Sequence, residues 1–125
     1  MNDIPARRIL VIDDRRTMRF AATYARSAAA GLAALSSGPW DEVWLDHDLG
    51  PGPDIRAVVR EIERRVYADA PFEIGHIFVH TSNPAGAAAI VAGLERHYPV
   101  SRVAASAFEL PHRPIDRDPS YRTPS

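Results

Sequence analysis

Residues 8–14 read Arg8-Ile9-Leu10-Val11-Ile12-Asp13-Asp14, an apolar run that stops abruptly at two acids. Two further runs end in a similar way: Val43-Trp44-Leu45 is followed by Asp46, and Ile77-Phe78-Val79 is followed by His80. Short apolar runs of this kind are typical of strands buried in a parallel sheet. The carboxyl ends of such strands share one edge of the sheet, where α/β proteins place their sites. The three runs therefore predict both a fold and the location of a site.

Helical patterns separate these runs. Ser27 is a capping residue before a helix that is expected to run to about Ser36. Asp54 follows a turn rich in glycine and proline and is expected to cap an amphipathic helix. Asn83 before Pro84 marks the start of a third helix. Two weaker strands are predicted, at residues 22–25 and 102–105.

The alternation of strands and helices, with right-handed crossovers, predicts a three-layer, flavodoxin-like or receiver-like α/β fold. Its doubly wound parallel sheet has the expected order 2-1-3-4-5, which makes strands one, three and four neighbours. Residues 15–21 are too short and too polar for a full helix, so the first crossover helix is expected to be reduced. Residues 1–108 are predicted to form the receiver-like domain, and residues 109–125 a proline-rich C-terminal tail.

Composition narrows the classes of function. A chain of 125 residues with a net charge of −1 is one domain by length and gives no global reason to bind nucleic acid or a membrane. A local pocket for a nucleotide or an RNA end is still compatible with that charge. The absence of cysteine excludes disulfides and thiolate metal sites. A cytoplasmic location is expected, while the oligomeric state and any protein partner stay open.

Four carboxylates crowd the predicted edge of the sheet: Asp13, Asp14, Asp46 and Asp48. Carboxylates that lie close together repel one another unless protons or a cation neutralise them. Oxygen ligands favour a hard ion, so Mg²⁺ or Mn²⁺ is the predicted cofactor. On this view, replacing Asp13 or Asp46 by alanine should raise the stability of the metal-free protein. Asp48 could instead leave the strand and cap the following turn.

His47 and His80 stand at neighbouring strand ends, beside Asp46. Histidine is the usual proton-transfer group near neutral pH, so Asp46, His47 and His80 form the predicted catalytic set. The alternative is that one imidazole hydrogen-bonds a backbone carbonyl and orients a loop.

Phosphate ligands are predicted on both sides of this edge. Thr81 and Ser82 precede a helix, and helix N-termini bind phosphate through free backbone N–H groups. Arg15 and Arg16 follow the first acid pair and have the planar guanidinium that phosphate recognition favours. For either arginine the alternative is a solvated loop that partly neutralises the acids.

These motifs, in this order, resemble the receiver domains of two-component signalling. Asp13 and Asp14 are similar to their acidic pair after strand one, and Asp46 stands at the phosphoacceptor position. Thr81 or Ser82 corresponds to their conserved hydroxyl. Receiver domains also end strand five with a lysine, whereas all fifteen basic residues of this chain are arginine. Arginine is not an equivalent replacement for lysine.

Two motifs are closer to a receiver-derived family, the cyclic-phosphate-processing receiver-like domains. Residues 45–50 read LDHDLG and residues 80–84 read HTSNP, as in that family, and the resemblance covers about the first hundred residues. It implies metal-dependent processing or recognition of a phosphate ester, with a cyclic phosphate on a nucleotide or RNA end as the ligand. The alternatives are a signalling receiver phosphorylated on Asp46, or a degenerate receiver that binds a ligand or partner without chemistry.

Overall fold

The computed structural model describes residues 7–46, 54–80, 84–104 and 107–109. All strands in these ranges pair in parallel in one sheet of order β2-β1-β3-β4-β5, which confirms the predicted order and the receiver-like α/β class. In chain order the elements are β1 (Ile9–Ile12), β2 (Thr23–Ala25), α1 (Ala28–Leu35), β3 (Trp40–Asp46), α2 (Ile55–Tyr67), β4 (Ile74–His80), α3 (Pro84–Leu94) and β5 (Val100–Val103).

The helix starts follow the capping signals in the sequence. The side chain of Ser27 accepts a hydrogen bond from the backbone N–H of Ala30 at 3.1 Å. Asp54 Oδ1 accepts one from the backbone N–H of Arg56 at 2.9 Å. Both predicted caps are therefore confirmed, while the predicted cap at Asn83 lies outside the described residues.

The connection between β1 and β2, residues 13–22, contains no helix, so the reduction of the first crossover is complete. Arg26 holds this connection from the far end of β2. Its guanidinium donates to the backbone oxygens of Asp13 at 3.3 Å and Arg16 at 2.5 Å, and to Thr17 Oγ1 at 3.4 Å. Side-chain hydrogen bonds from one arginine thus stabilise a path that a helix takes in a full crossover.

The first face of the sheet packs against all three described helices. Leu10, Leu45 and Ile77 are fully buried there, in one mainly aliphatic cluster that also contains Leu35 of α1 and Ile62 of α2. Burial of this aliphatic surface is the main source of stability. None of the described helices has the length and apolar character needed to cross a bilayer.

The second face carries no helix among the described residues. It is built around Val11 and Trp44, with Phe78 packed against them, and Met18 and Phe20 of the β1–β2 connection cover it. Successive side chains of a strand point to opposite faces. The alternation that places Val11, Trp44 and Phe78 on this face also places the next-but-one residues there, namely Asp13, Asp46 and His80.

Candidate functional site

Three buried polar side chains meet at the carboxyl edge of the second face. Asp13, Asp46 and His80 follow or end β1, β3 and β4, and they are the buried polar or charged residues within the described ranges. Asp46 and His80 are register partners on adjacent strands. One ligand atom from each residue lies within 4.8 Å of the other two. The strand order predicted from the sequence thus brings these three residues together.

Asp13 is the centre of the hydrogen-bond network. Its Oδ1 accepts from the backbone N–H groups of Arg15 and Arg16, both at 2.9 Å, and its Oδ2 accepts from His80 Nε2 at 2.9 Å. Burial raises the pKa of Asp13, but these hydrogen bonds and the nearby imidazole outweigh it, so the pKa lies well below its ordinary value. Asp13 is therefore a carboxylate, although the solvent does not reach it.

An ionised Asp13 fixes the tautomer of His80. A carboxylate can only accept, so His80 Nε2 carries the proton of their hydrogen bond. The Nδ1 atom of the same ring is buried and has no hydrogen-bond partner among the described residues. In the neutral ring this atom keeps a lone pair. His80 can therefore accept a proton or bind an ion through an atom that the fold does not use.

Arg16 brings a positive charge into the same site. Its Nη1 lies 3.2 Å from Asp46 Oδ2 and 3.4 Å from Asp13 Oδ2, and the side chain is 15% exposed. Burial lowers the pKa of Arg16, but the charges of Asp46 and Asp13 outweigh it and leave the pKa raised. Two of the acids that were expected to repel one another, Asp13 and Asp46, are thus paired with one cation of the chain itself.

The family described as Cyclic-phosphate processing Receiver domain matches residues 8–96. The chain belongs to this family. The match includes the four residues of the site described so far, and the predicted family is confirmed. No curated protein matches the chain.

Glu109 also reaches the site, although it lies beyond the residues that match the cyclic-phosphate processing receiver family. Its Oε1 is 3.4 Å from Arg16 Nε, and its backbone forms an isolated antiparallel bridge with Met18. The sequence predicts Glu109 at the start of the tail and does not indicate its contact with Arg16. No local motif marks it, because its partners lie about ninety residues earlier in the chain.

The remaining predicted site residues fall into two groups. Arg15 contributes its backbone N–H to Asp13, while its side chain is exposed, and the half-buried Asp14 is not part of the three-residue group. Their predicted roles in phosphate and metal binding stay predictions. The other members lie outside the described residues, and their roles also stay predictions: His47, Asp48, Thr81 and Ser82.

The donor set fits a divalent ion, with one difference from the expectation. The sequence predicted oxygen ligands alone, whereas the group of Asp13, Asp46 and His80 combines two carboxylates with an imidazole. Imidazole nitrogen suits transition metals better than Mg²⁺, so this set favours Mn²⁺ over Mg²⁺. Arg16 already contacts both carboxylates, and an ion that binds them must displace its guanidinium.

Proposed function

We propose that this receiver-like domain binds a phosphate ester at the cluster of Asp13, Asp46 and His80 and processes it with the help of a divalent ion. The preferred ester is a cyclic phosphate on a nucleotide or an RNA end. The observation that carries the proposal is the buried Asp13–His80 hydrogen bond of 2.9 Å with a guanidinium against the same carboxylate. An imidazole, a carboxylate and a guanidinium therefore follow one another along a chain of contacts of 3.4 Å or less. Membership of the cyclic-phosphate processing family supports the choice of ester.

His80 is the proposed general base. In hydrolysis of a cyclic phosphate, a water oxygen bonds to phosphorus, one ring P–O bond breaks, and the released oxygen takes up a proton. The free Nδ1 of His80 can accept the proton of the attacking water. Asp13 then stabilises the imidazolium through the Nε2 hydrogen bond, as the acid of a catalytic triad does.

Arg16 and the carboxylates have complementary roles in this proposal. A guanidinium can bind two phosphate oxygens at once, which suits Arg16 for holding the ester. Asp13 and Asp46 would hold the divalent ion with Asp14, which leaves His80 Nδ1 for proton transfer, and such an ion would polarise a phosphoryl oxygen and activate water. Thr81 and Ser82 are proposed to steady the phosphate, and His47 or Asp48 to serve as the second proton-transfer group.

The proposal is tested by incubating the protein with cyclic mononucleotides and with RNA ends that carry a cyclic phosphate, with and without Mg²⁺ or Mn²⁺. His80→Ala should slow turnover by roughly 10²–10⁴-fold, the range for losing one positioned proton-transfer group. His76→Ala is the matched control, since His76 lies on the same face of β4 but hydrogen-bonds Ser101, at 2.8 Å, instead of a site residue. Equal rates for the two variants, or no turnover of any ester, would contradict the proposal.

A second candidate function is favoured by the contact between Arg16 and Asp46. Asp46 stands where receivers are phosphorylated, and the guanidinium 3.2 Å from it offers a cation where the usual lysine is missing. Acetyl phosphate or beryllofluoride should modify Asp46 if the domain is a signalling receiver. We expect no stable adduct by intact mass, because arginine does not reproduce the compact charge of lysine. A long-lived aspartyl phosphate would reverse the ranking.

A further inference from the structure

We propose that Arg16 is an internal cation of the metal site, and that Glu109 is the carboxylate that receives its guanidinium when a divalent ion binds Asp13 and Asp46. This inference rests on the proposed function in one respect, that the ion binds these two carboxylates. It assigns a role to Glu109, which lies outside the part of the chain that matches the family. Glu109 is then a positioning residue, and it sets how readily the ion enters.

Arg16 occupies the carboxylate oxygens that a divalent ion would bind, those of the inner acids Asp13 and Asp46. Its Nη1 lies within 3.4 Å of the Oδ2 atoms of both Asp13 and Asp46. A divalent ion bound to the same two carboxylates would lie close to this guanidinium, and like charges at such a distance repel strongly in a buried site. Binding of the ion therefore requires the guanidinium to move outward.

The outer contact gives the guanidinium a place to go. Arg16 Nε is already 3.4 Å from Glu109 Oε1, so the side chain touches inner and outer carboxylates at the same time. The Glu109 side chain is 32% exposed, whereas those of Asp13 and Asp46 are buried. A small rotation of Arg16 towards Glu109 keeps its charge paired and places it closer to water.

Glu109 is held in position by contacts that do not involve Arg16. The backbone N–H of Arg19 donates to the carbonyl of Phe108 at 2.7 Å, and Arg19 Nε donates to the carbonyl of Glu109 at 3.2 Å. The ring of Phe108 packs edge-on against Trp44, with centroids 5.1 Å apart. We call residues 108–109 the strap. The strap presents the Glu109 carboxylate beside the site whichever partner Arg16 has.

The backbone that carries Arg16 is fixed as well. Its N–H donates to Asp13 Oδ1 at 2.9 Å, and its carbonyl accepts from Arg26 at 2.5 Å. The exchange between inner and outer partners is therefore a movement of the side chain alone. The affinity for the ion then depends on the difference in free energy between the inner and outer positions of the Arg16 guanidinium.

Opposite effects of two charge-removing variants test this arrangement. Calorimetric titration of the full chain with Mn²⁺ and with Mg²⁺ should show binding at least about tenfold tighter for Arg16→Ala, because no internal cation competes with the ion. Glu109→Gln should bind more weakly than the wild type by about threefold or more, because its guanidinium loses the outer carboxylate. The double variant should match Arg16→Ala, since Glu109 acts only through Arg16. Arg16→Gln is a second test that keeps hydrogen-bonding groups in the site if the alanine variant does not fold.

The matched controls are Arg64→Ala and Glu61→Gln, which remove the same charges from a surface pair on α2 with N and O atoms 2.7 Å apart. They should leave ion affinity unchanged. Equal affinities in the wild type and all site variants would overturn the inference and leave ion binding intact. If the wild type shows no ion binding and the Arg16→Ala variant does bind the ion, the inference is supported. Absence of binding in every variant at millimolar ion would overturn both the inference and the metal part of the proposed function.

Discussion

The two faces of the sheet are built from different chemistry. The first face is mainly aliphatic and lies under α1, α2 and α3. The second is richer in aromatic rings and is covered in the described residues by the β1–β2 connection and the strap. Every buried polar side chain of the described ranges lies at the edge of the second face. On the first face, helices exclude water and supply most of the stability. On the second face, short irregular segments take the place of helices, and the buried polar residues lie at its edge.

The aromatic layer gives that site a firm base. The rings of Phe20, Trp44, Phe78 and His76 follow one another across the second face, with neighbouring centroids 5.0, 4.6 and 4.4 Å apart. Trp44 also lies 6.1 Å from the ring of His80, measured between centroids. Aromatic pairs at these separations contribute packing energy beyond the burial of their area. The imidazole of His80 is thereby held by Trp44 of the aromatic layer as well as by its hydrogen bond to Asp13.

The largest expected effect compares the cores of the two faces. Leu45→Ala removes a fully buried side chain under the helices and should lower the free energy of unfolding by about 3–5 kcal/mol. Phe78→Ala, at a half-buried position of the second face, should cost less, about 1–2 kcal/mol, because water already reaches part of that ring. Denaturant unfolding measures both. A cost for Phe78→Ala equal to that of Leu45→Ala would remove the distinction between the faces.

The next effect concerns Asp13, where the geometry reverses the sign expected from counting charges. Asp13→Ala should lower stability by about 2–4 kcal/mol, because it leaves two backbone N–H groups and His80 Nε2 without their acceptor and removes one of the two inner carboxylates of Arg16. Asp14→Ala is the control, since Asp14 is half-buried and outside the cluster, and it should change stability little. A metal-free Asp13→Ala protein that melts above the wild type would restore the repulsion hypothesis.

A smaller effect compares two helical glycines. A Cβ at Gly31 of α1 would lie 2.8 Å from Cδ1 of the fully buried Ile12, so Gly31→Ala should destabilise by about 1 kcal/mol after its gain in helix propensity. At Gly93 of α3 the nearest atom is Glu63 Oε2 at 3.5 Å, an ordinary contact. Gly93→Ala should therefore stabilise by up to about 1 kcal/mol. If thermal unfolding shows that both variants change the melting temperature in the same direction, the close approach of α1 to Ile12 does not limit packing.

The smallest effect is expected on the solvent side of α2. Hydrogen bonds from Arg64 lower the pKa of Glu61 from its ordinary 4.5 to about 2. A lowered carboxyl pKa contributes stability that is present above pH 4.5 and lost as the pH falls through 2. Because the pair is exposed, Glu61→Gln should reduce the melting temperature only slightly at pH 7, and not at all near pH 2. A large decrease at pH 7, with no decrease near pH 2, would show that surface pairs matter as much as the core.

The sequence predicted the parts of this molecule that depend on local patterns. Apolar runs that end at an acid or a histidine located β1, β3 and β4, and the strand order then brought Asp13, Asp46 and His80 together. The selection of Arg16 over Arg15 depends on the path of residues 13–22, which no periodicity encodes. Glu109 was missed because its contacts span most of the chain. The expectation of repulsion counted the acids of the edge without Arg16, the cation that folding places against Asp13 and Asp46.

The lengths of the strands have a consequence for the behaviour of the protein in concentrated solution. The two strands at the margins of the sheet, β2 and β5, have three and four residues, while the central β3 and β4 have seven each. Unpaired N–H and C=O groups at a sheet margin invite strands of other molecules, and proteins often deter this with short margins or with lysine. This chain contains no lysine and combines short margins with the charge of arginine, here Arg26 after β2 and Arg102 within β5. Insertions that lengthen β2 or β5 are therefore expected to promote aggregation before they disturb the fold.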